Sequence, residues 1–261
     1  MQLIDTHCHV HSLEFFNAQQ ADEVLAEAVQ AGVDKMIGIA TSLEDGKAAI
    51  SFAHKHPVSY WASIGIHPHE ASKLSEGEID RHLSELDNLA QEAKVIAVGE
   101  CGFDFYYNDK KADLKKQTKL LEGQLKIAKK HDLPVSFHVR SGFDEFWPIY
   151  EKYTPRGVLH SFTDTSEHLQ QALEHGLYIG VNGIATFTKD ELQREMFHQI
   201  PLENLLLETD APFLTPTPRR GTINTPKNVT YITNFMAELR GEDANNIATA
   251  TTENARRLFG I

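Results

Sequence analysis

Short apolar runs recur along the chain, each ending near a polar or titratable residue and followed by a stretch whose apolar positions fall at helical spacing. The first is Leu3-Ile4-Asp5-Thr6-His7-Cys8-His9, and further runs at 35–40, 59–66, 95–99, 134–138, 157–160, 177–181 and 205–210 read as strands. The run at 95–99 is continuously apolar, as in a strand buried on both faces, and it ends against Glu100. Helices are predicted between them at 22–31, 43–54, 78–93, 113–131, 143–153, 166–175 and 189–199, and two more at 227–240 and 243–259 finish the chain. Ser42 and Ser166 stand where N-caps belong, and Gly32 and Gly176 where helices stop.

Eight strands alternating with helices, without a linker, low-complexity tract or composition break, predict one α/β domain over residues 1–261, a (β/α)8 TIM-type barrel. An open, doubly wound sheet is the competing arrangement. The barrel is favoured because polar residues gather at the C-terminal ends of strands one, three, four, five, six and eight. Only a closed ring brings those ends around one mouth.

In an extended strand alternate side chains share a face, so His7 and His9 are expected to point the same way as Asp5. An isolated His-x-His is a weak sign of metal binding. Its weight comes from Glu100, His138, His160 and Asp210, which stand at the ends of strands four, five, six and eight. Left unpaired in one mouth, these groups would each carry a desolvation cost of roughly a few kcal/mol, which metal binding removes. The donor count suggests two divalent ions, one held by His7, His9 and Asp210 and one by His138 and His160, with Glu100 bridging them. Such a pair lowers the pKa of a shared water, and Asp210 can accept its proton. Nitrogen and oxygen donors without thiolate admit Zn2+, Mn2+ or Mg2+.

Other positions carry less. His67, in Gly65-Ile66-His67-Pro68-His69, is read as a contact for a substrate phosphate or a metal-bound water, against the alternative of a turn histidine ahead of Pro68. Arg140, Arg219 and Arg220 can each grip a phosphate bidentately, although an ordinary surface role is the stronger expectation for Arg219 and Arg220. Glu208 shares a face with Asp210 if the strand continues, as an acceptor that orients a metal-binding residue. His11 is expected to face solvent from a loop.

The 41% hydrophobic and 24% charged content is that of a globular chain, and no run approaches the ~18 apolar residues of a membrane span. No signal-peptide pattern precedes the first strand, and the two cysteines, Cys8 and Cys101, form no spaced pair; a cytoplasmic location is expected. The formal net charge of -12 argues against coating duplex nucleic acid, yet leaves room for a phosphorylated substrate bound locally to metal ions. No obligate protein partner is evident.

Taken in order, Asp5-Thr6-His7-Cys8-His9, Gly65-Ile66-His67-Pro68-His69, Gly99-Glu100-Cys101-Gly102-Phe103-Asp104, Pro134-Val135-Ser136-Phe137-His138-Val139-Arg140, His160-Ser161-Phe162 and Leu207-Glu208-Thr209-Asp210-Ala211-Pro212 resemble the TatD family of metal-dependent deoxyribonucleases, within the amidohydrolase-like metallo-barrels. The resemblance implies a (β/α)8 barrel, metal-dependent phosphodiester hydrolysis and often 3′-to-5′ exonuclease action on DNA, here on single-stranded or frayed ends. It also assigns metal ligation to His7, His9, Glu100, His138, His160 and Asp210. Three departures bear on substrate preference: Ile223-Asn224-Thr225-Pro226 stands where the family often has Arg-Asn-Glu-Pro, Phe105 follows Asp104, and Ser161 follows His160 where Cys or Gly is usual. The same centre could serve a small-molecule amidohydrolase, lactonase or phosphoesterase, and a non-catalytic metal-binding scaffold is the third alternative.

Overall fold

The computed structural model describes residues 2–106 and 110–261. Its strands are β1 (Leu3–Cys8), β2 (Val33–Gly38), β3 (Tyr60–Ile64), β4 (Val95–Asp104), β5 (Val135–Arg140), β6 (Gly157–Leu159), β7 (Tyr178–Val181) and β8 (Leu205–Leu207). They lie side by side in chain order, and every pairing is parallel. The ring closes where Cys8 bridges Ala211 in parallel, with His9 N–H donating to Ala211 O at 2.8 Å and Asp210 N–H to His7 O at 2.8 Å. That seam excludes the open sheet and makes the expected (β/α)8 barrel.

Parallel strands require crossovers, and helices supply them: α1 (Ala18–Gln30), α2 (Leu43–Lys55), α3 (Glu76–Leu89), α4 (Lys110–His131), α5 (Phe143–Tyr153), α6 (Ser166–Glu174) and α7 (Glu191–Gln199), while α8 (Val229–Arg240) and α9 (Ala244–Phe259) follow the last strand. Their apolar faces, with Leu25, Ile50, Leu86, Leu121 and Phe146 among them, pack on the strands in one large buried set. Phe137 of β5, for example, meets Phe146 of α5 edge-on at 5.0 Å. A smaller set joins Ile4, Ile37, Ala97, Val158 and Leu206 from alternate parts of the ring to Ala255, Leu258 and Phe259 of α9. Each large side chain buried this way contributes about 1.5–3 kcal/mol, so the strand ends are held on a rigid frame. Among the described residues, no helix is long and apolar enough to cross a membrane.

Several boundaries depart from expectation. α1 begins at Ala18 rather than Asp22, because Asn17 and Gln20 satisfy each other's backbone N–H groups in a capping box. α6 is capped by Thr165 rather than Ser166, the Thr165 hydroxyl accepting from His168 N–H at 3.3 Å. β4 does not stop at Gly99: after an irregularity between Val98 and Cys101 it resumes its ladder with β5 as far as Asp104 opposite Arg140. Glu100 therefore stands inside a strand, and Asp104 is carried up beside β5.

Candidate active site

The seam of the barrel assembles the first half of the site. β1 carries His7 within the strand and His9 just past it, while Asp210 follows β8 with φ 57°. His7 Nε2 lies 3.3 Å from His9 Nε2, 3.5 Å from Asp210 Oδ1 and 3.6 Å from Glu100 Oε2. His9 Nε2 is 3.3 Å from the same Asp210 oxygen. Zinc bonds of 2.0–2.2 Å place tetrahedral neighbours roughly 3.3–3.6 Å apart, so these four separations are those of ligands sharing a coordination shell. The imidazoles are also aimed correctly. His9 Nδ1 lies 2.8 Å from Ile39 O, a group that only accepts, so Nδ1 carries a proton and Nε2 is the nitrogen that faces inward.

The second half is built from β4, β5 and β6. Glu100 Oε1 lies 2.6 Å from His138 Nδ1 and 3.7 Å from His160 Nε2. The two oxygens of one buried carboxylate thus face two different sets of imidazoles. His160 stacks on His7 with centroids 3.4 Å apart, and its Nδ1 lies 2.7 Å from Glu208 Oε1. Glu208 accepts from Ser161 N–H at 2.7 Å as well, and Asn182 Nδ2 donates to the Ser161 hydroxyl at 2.7 Å. Ser161 is thus part of the brace that holds Glu208 against His160. β8 itself ends at Leu207, so Glu208 reaches His160 from the connecting loop.

Among the described residues, His7, His160 and Asp210, then His7, His9 and Glu100, then Glu100, His138 and His160 each form a group able to hold a cation. A fourth group joins His67 and His138 to Asp104, a residue that sequence spacing alone does not single out. Asp104 Oδ2 lies 3.1 Å from His138 Nε2 and 3.0 Å from His69 Nε2. It stands four positions beyond Glu100, an even spacing that becomes legible only if β4 is run past Gly99.

Burial and charge oppose each other throughout the mouth. Burial disfavours protonated His9 and His138, but Asp210 beside the first, and Glu100 and Asp104 beside the second, outweigh it and raise each to about 9. Glu100 is held well below the ordinary carboxylate range because His67 and His138 overcome the burial cost, and Asp104 falls to about 2 through His138 and the Tyr106 N–H. These carboxylates favour positive charge at the imidazoles, and a cation can supply it in place of protons. His67 goes the other way: burial and the neighbouring His138 hold it down to about 3. Its Nδ1 accepts His69 N–H at 3.1 Å, so the neutral ring presents Nε2–H, 3.6 Å from Glu100 Oε1.

Asp5 and His11 lie elsewhere than expected. The ladder of β1 is irregular between Asp5 and Cys8, and Asp5 turns to the seam: its Oδ2 lies 2.5 Å from the Thr209 hydroxyl, and its Oδ1 accepts from Thr209 N–H at 2.9 Å and His7 N–H at 3.2 Å. Burial pushes this carboxyl up to about 8 against those hydrogen bonds. Asp5 therefore ties the segment bearing Asp210 to the strand bearing His7. Thr209→Val should lower stability by about 1–3 kcal/mol, since the hydroxyl partner of a buried carboxyl is lost. An unfolding midpoint equal to wild type would show that this pair does not brace the seam. His11 is buried rather than solvent-facing, its Nδ1 2.9 Å from the Tyr60 hydroxyl and its Nε2 3.2 Å from Asp45 Oδ1.

The mouth opens into a cavity of about 800 Å3 lined by residues including His9, His67, Glu100, His138, His160, Asp210 and Arg140. Arg140 stacks over the Tyr106 ring at 3.8 Å. Arg220 is exposed on the loop after β8, 3.8 Å over the Phe187 ring and donating to Thr215 O at 2.9 Å.

A closed parallel barrel with this donor set at its C-terminal mouth defines a metal-dependent hydrolase. The chain belongs to the TatD related DNase family, which matches residues 4–260. It is 36% identical over 267 residues to the 3′-5′ ssDNA/RNA exonuclease TatD of Erwinia tasmaniensis, covering 99% of this chain and 100% of that one. To the 3′-5′ ssDNA/RNA exonuclease TatD of Escherichia coli K12 it is 35% identical, covering 94% of each. Among solved structures, the TatD homolog YJJV from Escherichia coli K12 superposes with a TM-score of 0.89 at 32% identity, covering 99% of this chain and 98% of that one.

Proposed function

We propose that this chain is a 3′-to-5′ exonuclease acting on single-stranded or frayed DNA ends, with His7, His9, Glu100, His138, His160 and Asp210 holding two divalent ions. The observation that carries it is Glu100, whose Oε2 faces His7 at 3.6 Å while its Oε1 faces His160 at 3.7 Å and His138 at hydrogen-bond distance, so that one carboxylate reaches two imidazole sets. The two relatives are named as ssDNA/RNA exonucleases, which supports a single-stranded substrate. The net charge of -12 suits a protein that engages one strand end locally.

Divalent ions held by these residues would supply a water of lowered pKa and neutralise charge growing on the phosphoryl oxygens. The chain's own groups do the rest. Asp210, turned inward by its hydrogen bond to β1, accepts the proton released by the attacking water. Arg140 grips a phosphate, and His67 donates Nε2–H to a phosphoryl oxygen without adding charge. His138 and His160 are positioned by Asp104 and Glu208, which present the opposite ring nitrogens to the mouth. Arg220 is a second cation available to a phosphate further along the strand.

An end-labelled single-stranded oligonucleotide incubated with Mg2+, Mn2+ or Zn2+ should shorten stepwise from its 3′ end, and chelation should stop the reaction. Intact DNA under every metal, together with turnover of a lactone, amide or phosphoester panel, would replace the nuclease reading with a small-molecule hydrolase. Glu208→Gln should weaken metal binding by about 10-fold through loss of the charged acceptor behind His160, measured by calorimetric titration. Wild-type affinity in that variant would remove Glu208 from the metal centre.

A further inference from the structure

We propose that Phe213 and Phe15 form a stacking wall that receives the base of the strand's terminal nucleotide, an inference that rests on the nuclease reading above. Single exposed apolar side chains are ordinary, but these two touch and border the catalytic cavity. Phe213 is 45% exposed and Phe15 38%, their rings edge to face at 5.0 Å. Phe213 also meets the His9 ring edge to face at 6.2 Å. A planar group laid on Phe213 therefore lies beside the imidazoles and carboxylates of the reaction centre.

The wall is held in place by the loop that sets Asp210. Phe213 N–H donates to Asp210 O at 2.8 Å. The Phe213 carbonyl accepts from Asn224 Nδ2 at 2.6 Å, and the same amide group donates to Thr209 O at 2.9 Å. Asn224 is fully buried, so the backbone under the ring is fixed while the ring itself remains partly exposed. Such a surface loses little freedom when it binds.

Charge decides which part of a nucleotide belongs there. Glu14 lines the cavity next to Phe15 and disfavours phosphate on that side. Arg140 stands at the end of β5, across the eight-stranded ring from β1. A phosphate drawn to Arg140 and the metal-binding residues leaves the uncharged base to fall against the aromatic pair. Every base has a π-face, so the wall accepts any of the four without reading sequence.

The test compares two DNA oligonucleotides, one with an ordinary 3′-terminal nucleotide and one whose 3′-terminal nucleotide is an abasic tetrahydrofuran. Wild-type protein should lose roughly 5- to 100-fold in kcat/KM on the abasic end, carried mainly by KM. Phe213→Ala should show that same loss on the ordinary end and no further loss on the abasic one, and Phe213→Trp should restore the discrimination. Phe15→Ala should give a smaller loss in the same direction. Melting curves of the variants report whether each remains folded. Equal wild-type rates on both ends, or full discrimination persisting in Phe213→Ala, overturn the wall while leaving the nuclease reading intact. Wild-type cleavage of neither oligonucleotide removes both.

Discussion

Glu100→Gln should lower turnover of a single-stranded oligonucleotide by roughly 10³-fold or more, the equivalent of several kcal/mol of lost charge stabilisation at 1.36 kcal/mol per decade. The change keeps the shape of the side chain and removes its charge and one acceptor oxygen. In the native site Oε2 faces His7 at 3.6 Å while Oε1 faces His138 at 2.6 Å. An amide can serve one side as an acceptor, but on the other it presents N–H groups, which repel a cation. Metal stoichiometry should fall along with activity. The measurements are single-turnover cleavage at saturating metal and calorimetric titration, with circular dichroism to confirm the fold. A variant retaining more than a tenth of wild-type activity would mean that Glu100 is not the bridging group.

The second large effect is structural. Gly65 follows β3 at the rim of the mouth, where a Cβ would stand 2.4 Å from the Gly99 carbonyl carbon and 2.6 Å from its oxygen. Neither atom belongs to a flexible side chain, so relief requires moving the backbone that leads into Glu100. Gly65→Ala should therefore cost about 3 kcal/mol, at the upper end for overpacking, and lower Tm by several degrees. Activity should fall in the same variant, because the displaced segment carries the central carboxylate. Melting within about a degree of wild type with full activity would show that strands three and four can separate here freely.

Much of the barrel was legible because its signals are local. The runs at 177–181 and 134–138 nearly coincide with β7 and β5, since buried parallel strands are short, apolar and bounded by helix caps and stops. The six proposed metal-binding residues stood out for the same reason: each interrupts or follows an apolar run where polarity has no local use. Arg140, two positions beyond His138 on the same strand, lines the cavity with it. Asp104 was missed because an irregularity in β4 hides the continuation of the strand, which only pairing with β5 restores. His11 departs from expectation because a loop position beyond the strand end implies solvent, whereas the Tyr60 hydroxyl and Asp45, 49 and 34 positions along the chain, bury it.

The sequence by itself determined the alternation of strand and helix, the closed ring that this alternation favours, and the identity of the donors gathered at its mouth. These follow from residue spacing within single elements, where neighbours in the chain are neighbours in space. Tertiary structure alone decided which nitrogen of each imidazole faces inward, that Asp5 fastens the seam instead of joining the donors, and that Glu100 looks both ways. It alone also set Phe213 against Phe15. Such facts depend on contacts between residues up to 204 positions apart, as between Asp5 and Thr209, and no local pattern encodes the angle at which two distant strands meet.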